Sequence, residues 1–298
     1  MAKNTQFQSR LRAISAKMEQ VLGELLPKPA GPQSEAMEAM RYAVLGGGKR
    51  LRPFLLVECA RLFGSDNEGV YLAAGALECL HVYSLIHDDL PCMDDDDLRR
   101  GKLAVHKQYD EAMAVLAGDA LLTLAFEVLS DARVHQDANI RLKLMAGLAH
   151  AGGIHGMIGG QVIDIYAKNL NHDEELIRQL QALKTSALIK YAAVSGGQLA
   201  GASETDIKNM ATYSEALGLA FQIRDDTLDF EGDAATMGKA VKKDAGLGKV
   251  TFVSIHGLEN AKMQAEALGV QAKEALSTYG EKADVLRGTV DFVLHRQK

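Results

Sequence analysis

The amino-acid sequence predicts an all-α fold, and three observations support this fold class. Only five prolines occur among the 298 residues, and all of them lie at or before Pro91. The 207 residues that follow it (298 minus 91) contain none. Since proline inside a helix costs about 3 kcal/mol, so long a proline-free stretch favours long helices. Helix-forming residues such as Ala, Leu, Glu and Lys are abundant there, and no sustained alternation of β-branched residues indicates a strand.

Breaker and capping residues bound the helices along the chain. The segment from Pro27 to Pro32 is a linker after the first helix, and Pro91 ends regular helix near residue 90. Ser203 and Asp206 form a predicted N-cap and capping box. Glycine clusters at 46–48, 152–153, 159–160 and 196–197 mark turns or close approaches. The predicted helices span residues 5–26, 34–45, 53–63, 68–89, 108–131, 137–156, 173–196, 204–230, 257–277 and 281–296. No fixed-period repeat or interdomain linker is visible, so residues 1–298 are expected to form one domain.

Composition and charge exclude several classes of protein. Hydrophobic residues make up 47% of the chain and charged residues 24%, which is typical of a globular protein. A net charge of −6 argues against a general nucleic-acid binder. Three cysteines without CxxC or zinc spacing indicate reduced thiols in a cytoplasm. No secretory signal is visible, and no run of about 18 uninterrupted apolar residues predicts a membrane span.

The first acidic cluster follows an apolar helix. Six acids occupy ten positions from Asp88 to Asp97. Such a run can simply be a solvated acidic loop, because blocks of like charge usually face solvent. However, Pro91 should end the helix, and a short loop would then bring Asp94 back toward Asp88.

The second acidic cluster makes the solvated-loop interpretation less favourable. Asp225 lies 18 residues after Ile207, which is five whole turns of a helix at about 3.6 residues per turn. Ile207 belongs to the apolar stripe of this helix, so Asp225, with Asp229 one turn on, should face the core. Buried carboxylates must be paired or bind metal. Two clusters whose candidate ligands are carboxylate oxygens suit Mg²⁺ rather than Zn²⁺, with substrate phosphates completing the coordination.

Basic residues follow the acids at positions suited to bind phosphates. Arg99 and Arg100 come directly after the first acidic run, and the glycine turn at 46–48 leads into Lys49, Arg50 and Arg52. The glycine turn is not a Walker A loop, because Ala43 stands where glycine is required and Arg50 where Ser or Thr is required. Alone, it would be a helix-capping turn with a surface basic patch.

Together these motifs resemble the trans-isoprenyl diphosphate synthase family over essentially the whole chain, and the bacterial farnesyl-forming type in particular. The matching segments are GGGKRLRP at 46–53, HVYSLIHDDLPCMDDDDLRRGK at 81–102, AGDALL at 117–122, GGQVID at 159–164, KTSALI at 184–189, FQIRDDTLDFEGD at 221–233 and GK at 238–239. The resemblance implies an all-α single-domain bundle of antiparallel helices around a deep central cavity, as a homodimer in the cytoplasm.

The resemblance also implies a role for individual residues. The catalytic group comprises Asp88, Asp94, Arg99, Arg100, Lys184, Asp225 and Lys239. The metal group comprises Asp88, Asp89, Asp94, Asp225 and Asp229, holding up to about three Mg²⁺ ions that Mn²⁺ can replace. The isopentenyl diphosphate group comprises Lys49, Arg52, His81 and Arg100. The allylic diphosphate group comprises Arg99, Lys184, Thr185, Gln222 and Lys239.

The implied reaction is a Mg²⁺-dependent head-to-tail condensation. Isopentenyl diphosphate would condense with dimethylallyl and then geranyl diphosphate to give C15 farnesyl diphosphate and pyrophosphate. The resemblance assigns control of chain length to Tyr83 and Ser84, five and four residues before Asp88. A bulky Tyr83 favours a C15 product, although ideal helix geometry places Ser84, not Tyr83, on the stripe of Asp88.

Three alternatives remain open at the level of the sequence. A synthase of the same class could make the C20 geranylgeranyl product or a mixture. The pair His87-Asp88 also suggests an HD-type metal phosphohydrolase, which would need several imidazole ligands. A non-catalytic subunit of a partner synthase should instead show eroded acidic motifs, whereas both motifs are intact.

Overall fold

The computed structural model describes residues 2–166, 174–232 and 252–296, and within them it is almost entirely helical. The first half contains α1 (Ala2–Leu25), α2 (Ser34–Val44), α3 (Leu51–Leu62), α4 (Glu68–Asp88), α5 (Val105–Gln108), α6 (Glu111–Ser130), α7 (Ala138–Gly152) and α8 (Met157–Tyr166). The second half contains α9 (Glu174–Gln181), a π segment (Ala182–Ser186), α10 (Ala187–Leu199), α11 (Glu204–Glu231), α12 (Phe252–His256), α13 (Leu258–Glu274), a 3₁₀ segment (Ser277–Ala283) and α14 (Asp284–His295). A short antiparallel hairpin pairs β1 (Leu98–Arg99) with β2 (Lys102–Leu103).

The helix α4 lies at the centre of the bundle and carries the first acidic motif at its C-terminal end. Most of its residues are buried, and it packs against α3 and α6. The pair α3 and α10 crosses so closely that a Cβ on Gly196 would lie 2.3 Å from the carbonyl oxygen of Leu56. Glycine is therefore required at this crossing, and the cluster at 196–197 marks a close approach rather than a turn.

The all-α prediction is confirmed, and most predicted helices begin and end within a few residues of their observed bounds. The Ser203 hydroxyl and the Asp206 carboxylate form the predicted capping box at the start of α11. The prediction of one continuous helix over 173–196 is wrong, because the π segment separates α9 from α10. The helix predicted over 137–156 is also too long: α7 ends at Gly152, and a separate α8 follows after His155.

Two helices are long and apolar enough to cross a membrane by length and composition alone. The apolar window of α4 is 78% buried, as expected for the core helix of a helical bundle. The window of α6 is only 39% buried, and Val115 and Leu116 expose 40% and 56% of their surface. Exposed apolar side chains that cluster on one helix mark a candidate interaction surface.

Candidate active site

A cavity of about 360 Å³ opens between α4, α8 and the π segment. It brings together predicted residues from three distant parts of the chain. Those that line it are Arg52, His81, Tyr83, Ser84, Asp88, Lys184 and Thr185. Three larger clefts, of about 590, 650 and 540 Å³, contain none of the predicted site residues. The smaller cavity is therefore the candidate site, because a catalytic cavity is identified by its convergent polar groups and not by size.

The first acidic motif folds back on the end of α4. Asp88 is the last helical residue, and the backbone N–H of Asp94 donates to the carbonyl oxygen of Asp88 at 2.9 Å. The backbone N–H of Asp96 likewise donates to the carbonyl oxygen of Asp89 at 3.2 Å. Asp95 permits this turn by adopting a left-handed backbone with φ of 49°. The structure therefore places Asp94 beside Asp88, as the proline at position 91 predicted.

The carboxylate of Asp88 faces the cavity and is held by an amide. Gln161, on α8, donates from Nε2 to Asp88 Oδ1 at 2.7 Å. Burial raises the pKa of Asp88 to about 6; Lys184 opposes this shift and Asp94 adds to it. A desolvated carboxyl beside another carboxyl gains strongly from a cation. Gln161 has no role in the sequence-based assignment, although it lies within the GGQVID segment.

The carboxylate of Asp89 is paired with the guanidinium of Arg99. Its carboxylate is buried and accepts from Arg99 Nε at 3.0 and 3.1 Å, with a further contact from Arg99 Nη2. Arg99 also lies 3.7 Å from Asp96. Asp89 therefore fixes a predicted phosphate-binding arginine, and its oxygens point to that arginine rather than into the cavity.

The second acidic motif lies on α11 and contacts the last described residue of the chain. Arg296 donates from Nη2 to Asp225 Oδ1 at 2.6 Å and to the carbonyl oxygen of Phe221 at 3.0 Å. Its guanidinium carbon also lies 3.8 Å from the centre of the Phe221 ring. Burial raises the pKa of Asp225, although Arg296 and Lys49 oppose the shift. The sequence carried no signal for Arg296, because its partner lies 71 positions away.

Asp226 acts as a structural anchor in the same motif. Its Oδ2 accepts from the backbone N–H of Phe252 at 3.1 Å and from Gln181 Nε2 at 3.2 Å. It thereby joins α11 to the starts of α12 and of the π segment. Asp229 lies one turn beyond Asp225 and is partly exposed. In the second motif, Asp225 therefore lies near the site, whereas Asp226 stabilises the packing of the helices.

Within residues 2–166, 174–232 and 252–296, no three acidic, histidine or cysteine side chains are grouped closely enough to hold a metal ion. Instead, Asp89 is paired with Arg99 and Asp225 with Arg296. Among the predicted ligands Asp88 lines the cavity, and its buried carboxylate lies near that of Asp94, which adds to the rise in the pKa of Asp88. This donor chemistry fits a hard divalent cation such as Mg²⁺, particularly one that brings phosphate oxygens with it.

The π segment carries the predicted lysine of the allylic site. Lys184 Nζ donates to Asp164 Oδ2 at 2.5 Å, and Thr185 is buried beside it. A Cβ on Gly160 would lie 2.3 Å from the backbone nitrogen of Lys184. The glycine on α8 therefore allows the backbone of the π segment to approach, and π turns of this kind often mark functional sites. Asp164 is a second contact that the sequence-based assignment lacked.

Two of the predicted isopentenyl diphosphate residues, Arg52 on α3 and His81 on α4, line the same cavity as Lys184. Arg52 Nη1 lies 3.3 Å from His81 Nε2. Since a guanidinium can only donate, Nε2 must accept, which places the ring proton on Nδ1. Burial and the nearby arginines lower the pKa of His81 well below its usual 6.5. Arg100 donates to the carbonyl oxygen of Gly47 and so joins the hairpin to the glycine turn.

The two chain-length candidates both line the cavity. Tyr83 is buried and meets the His87 ring edge to face at 5.6 Å. The Ser84 hydroxyl donates to the carbonyl oxygen of His81 at 2.8 Å. Burial raises the pKa of Tyr83 to about 12, which keeps the phenol neutral. The cavity is therefore wide enough to include neighbouring stripes of α4.

Three remaining predicted residues are placed less directly. Gln222 lies on α11 and is partly buried. The pKa of Lys49 is lowered by burial and by Arg296, while Asp225 opposes the shift, so Lys49 lies in the field of the second motif. Lys239 lies outside the described residues.

Comparison with known proteins agrees with this architecture. A family model described as polyprenyl synthetase matches residues 33–287. The chain is 40% identical to farnesyl diphosphate synthase of Escherichia coli strain K12 over 297 residues, which cover 98% of this chain and 99% of the relative. It is 42% identical to geranylgeranyl pyrophosphate synthase 3, chloroplastic, of Arabidopsis thaliana, over 92% of this chain and 77% of the relative. The crystal structure of an FPP/GFPP synthase from Zymomonas mobilis shares 43% identity and a TM-score of 0.89, covering 98% of this chain and 99% of the other.

The matched segment, the high identity over nearly the full length and the shared helical fold all point to one group of enzymes. The chain belongs to the polyprenyl synthetase family and is a prenyltransferase.

Proposed function

We propose that this protein is a farnesyl diphosphate synthase that joins isopentenyl diphosphate to dimethylallyl and then geranyl diphosphate. The single observation that carries the proposal is the cavity beneath Asp88. Asp88, Arg52, His81 and Lys184 line it together with Tyr83 and apolar side chains such as Met157 and Val162. We propose that the charged groups form its mouth and that Tyr83 closes an apolar floor, an arrangement that suits a substrate with a diphosphate head and a hydrocarbon tail.

The two diphosphates have separate places in this proposal. The allylic diphosphate would be bound by Arg99, Lys184, Thr185 and Gln222, together with Lys239. Isopentenyl diphosphate would be bound by Lys49, Arg52, His81 and Arg100. The proposal is supported by the positions of Lys184 on the π segment and Arg52 on α3, which reach the same cavity from different elements. A neutral His81 keeps its Nδ1 proton available as a donor to a phosphate oxygen.

Magnesium dependence is general in this family. In this chain, Asp88 and Asp94 from the first motif and Asp225 from the second are the residues that would hold Mg²⁺, with Asp89 and Asp229 supporting them. We propose that about three ions are held and that Mn²⁺ can replace them. When bound, the ions supply positive charge that stabilises the diphosphate leaving group.

The reaction begins with cleavage of the allylic C–O bond, which leaves an allylic cation and takes the bonding electrons to the pyrophosphate. Lys184 and Arg99 stabilise the charge that develops on these oxygens. The double bond of isopentenyl diphosphate then attacks the allylic carbon, and loss of a proton restores a double bond. The released pyrophosphate is the acceptor proposed for that proton. The apolar floor excludes water, which would otherwise trap the cation as an alcohol.

A second copy of this chain is the partner that we propose for the exposed apolar face. The helices α6, α7 and α8 each carry exposed aliphatic or aromatic side chains: Val115, Leu116, Leu142, Ile158, Val162, Ile165 and Tyr166. Ile158, Val162 and Ile165 also line the cavity, so the apolar part of its lining is exposed at α8. A second copy seated there would close the site to water. We therefore propose a homodimer in the cytoplasm, without a membrane span.

A product assay tests the proposed function directly. The purified chain is incubated with Mg²⁺, isopentenyl diphosphate and, separately, C5, C10 or C15 allylic diphosphates, and the products are separated by chain length. C15 from the two shorter primers, with the C15 primer inert, is the expected result. C20 product would favour the geranylgeranyl alternative. Phosphate release without isopentenyl diphosphate, and without any condensation, would favour a phosphohydrolase instead.

Replacing Tyr83 tests the proposed control of chain length. In Tyr83→Ala the phenol no longer closes the floor, so the dominant product should shift from C15 toward C20. Ser84→Ala, which removes only a hydroxyl, serves as the matched control and should keep C15. Products of unchanged length in Tyr83→Ala would show that another residue limits the chain.

A further inference from the structure

We propose that Glu78 is a positioning residue for the diphosphate of isopentenyl diphosphate. It would hold the segment from Lys49 to Arg52 and the side chain of Arg100 in their binding arrangement. Glu78 does not line the cavity and would act only through its arginine partners. The inference rests on the isopentenyl diphosphate site proposed above. Glu78 itself belongs neither to the lining of the cavity nor to the sequence motifs that define that site.

The first step of the argument is the cage around Arg50. Arg50 is buried and donates from Nη1 to Glu78 Oε1 at 2.5 Å. Its Nη2 donates to Glu19 Oε1 at 2.7 Å and to the carbonyl oxygen of Val44 at 2.5 Å. Glu78 is buried, with 3% of its side chain exposed, whereas Glu19 is 41% exposed. A buried guanidinium requires a carboxylate partner. Of the two carboxylates that bind Arg50, Glu78 is the more strongly desolvated.

The second step is the backbone of the two arginines that Glu78 approaches. Arg50 has φ of 48° and Arg100 has φ of 54°. The left-handed region costs a residue with a side chain about 1–2 kcal/mol. Within the described part of the chain, Asp95 is the one other non-glycine residue with positive φ. Such strain persists only where surrounding contacts hold it. Glu78 accepts a hydrogen bond from the side chain of Arg50, and its Oε1 lies 4.0 Å from Arg100 Nη2.

The third step is the position of the phosphate-binding groups relative to this cluster. Arg50 lies between Lys49 and Arg52 in sequence, so its left-handed backbone sets the directions in which both side chains leave the chain. Arg100 Nη2 lies 4.0 Å from Glu78 Oε1 while Nη1 donates to Gly47. Glu78 therefore joins the glycine turn to the hairpin, the two segments that supply the basic groups.

The fourth step is electrostatic. Arg50, Arg52 and Arg100 form one group of like charges, which repel each other in the absence of a diphosphate. Glu78 is the buried counter-charge nearest to them, and it opposes the lowering of the pKa of Arg52 and of Arg100. Without Glu78, the side chains of the arginines would move apart. Bringing them together again would cost free energy and would weaken the binding of the diphosphate.

The test replaces Glu78 by glutamine, which keeps an acceptor for Arg50 and removes the charge. The KM for isopentenyl diphosphate should rise about tenfold, equivalent to about 1.4 kcal/mol. The KM for geranyl diphosphate should change less than about twofold, because Arg99 and Lys184 do not depend on Glu78. A purely structural role would lower the amount of active enzyme and leave both KM values unchanged. That result, or an equal rise of both KM values, would overturn the proposal.

Glu58 offers a matched control. It is also buried, with 5% of its side chain exposed, and it is paired with Arg61 at 2.7 Å and Arg10 at 3.3 Å, away from the cavity. Glu58→Gln removes the same charge from a similar setting. It should lower thermal stability and leave both KM values unchanged. A selective rise in the KM for isopentenyl diphosphate in this control would overturn the proposal, since it would show that any buried charge produces the effect.

Two further variants keep the outcome clear. If Glu78→Gln does not fold, Glu19→Gln weakens the same cage from its exposed side; a rise of about threefold in the KM for isopentenyl diphosphate supports the proposal, and unchanged KM values overturn it. Arg100→Lys separates this inference from the site on which it rests. An unchanged KM for isopentenyl diphosphate in Arg100→Lys overturns the site assignment as well. A raised KM there with an unchanged KM in Glu78→Gln overturns only the role of Glu78.

Discussion

At the scale of the residue, the charged groups of the site already have partners before any substrate arrives. Arg99 is bound by Asp89, Arg296 by Asp225 and Lys184 by Asp164. If Arg99 and Lys184 bind the diphosphates as proposed, substrate binding exchanges their partners, because phosphates then replace some carboxylates around the cations. The exchange lowers the net cost of desolvation, because few of these charges begin fully hydrated.

His81 gives a prediction for the pH dependence of stability. Its pKa in the folded chain lies well below 6.5, the usual value that it regains on unfolding. Below about pH 6.5 the unfolded chain binds a proton that the folded chain does not, so the free energy of unfolding falls as pH falls. His81→Gln, which keeps an acceptor for Arg52, should remove up to about 1.4 kcal/mol per pH unit of that slope.

The measurement is urea unfolding at several values between pH 5 and 8, on the parent chain and the variant. His295→Gln, at an exposed histidine, is the control and should leave the slope as it is. Identical slopes for the parent chain and His81→Gln would contradict the assignment of a neutral His81.

Local chemistry explains which site residues could be predicted from the sequence. Asp88 and Asp94 are six positions apart, and the proline between them ends the helix, so a short turn in the local sequence brings them together. Arg296 and Gln161 reach their carboxylates across 71 and 73 positions. No periodicity or spacing encodes such a pairing, since it depends on how separate helices pack.

At the scale of the element, α8 closely approaches the π segment at Lys184, a predicted residue of the allylic site. A π turn has no distinctive composition, so residues 182–186 were predicted as ordinary helix. The close approach is nevertheless visible at Gly160, where a Cβ would lie 2.6 Å from Lys184 Cα. The glycine cluster at 159–160 was predicted to be a turn or a close approach, and the second interpretation is correct at Gly160.

Gly160→Ala tests the role of this approach. The added methyl group must push α8 away from the π segment, which should destabilise the chain by about 1–3 kcal/mol. Because Gln161 and Asp164 lie on α8, the KM for the allylic substrate should rise about tenfold. Thermal unfolding and initial-rate kinetics measure the two effects.

The matched control is Gly23→Ala, at a helical position with no atom within 4 Å of the added Cβ. It should stabilise the chain by about 0.5–1 kcal/mol and leave the kinetics alone. Equal behaviour of the two variants would show that space at Gly160 is not what positions Lys184.

At the scale of the whole molecule, the exposed apolar face predicts that activity and assembly are linked. Leu116→Arg places a charge on the 56%-exposed side chain of α6 and should convert the proposed homodimer to a monomer. With the hydrocarbon end of the cavity open, water should capture more of the allylic cation, so the fraction of alcohol among the products should rise several-fold. Light scattering after size exclusion and product analysis measure both effects.

Met263→Arg provides the control, because Met263 is 63% exposed on α13, away from this face. It should keep both the mass and the product ratio of the parent chain. A monomeric Leu116→Arg with an unchanged fraction of alcohol would contradict the role proposed for the second copy.

The π segment has one more consequence, which concerns the length of the chain rather than its chemistry. A π turn contains one residue more than an α turn, so α9 is rotated about 100° relative to the phase that a continuous helix would give it. Deleting one residue from 182–186 would restore a regular helix and keep nearly every residue type. It would also turn α9, with the buried side chains of Ile177 and Gln181, away from their present contacts. The direction in which Lys184 faces thus depends on the number of residues in the π segment. Deleting a single residue here should therefore be far more damaging than most substitutions.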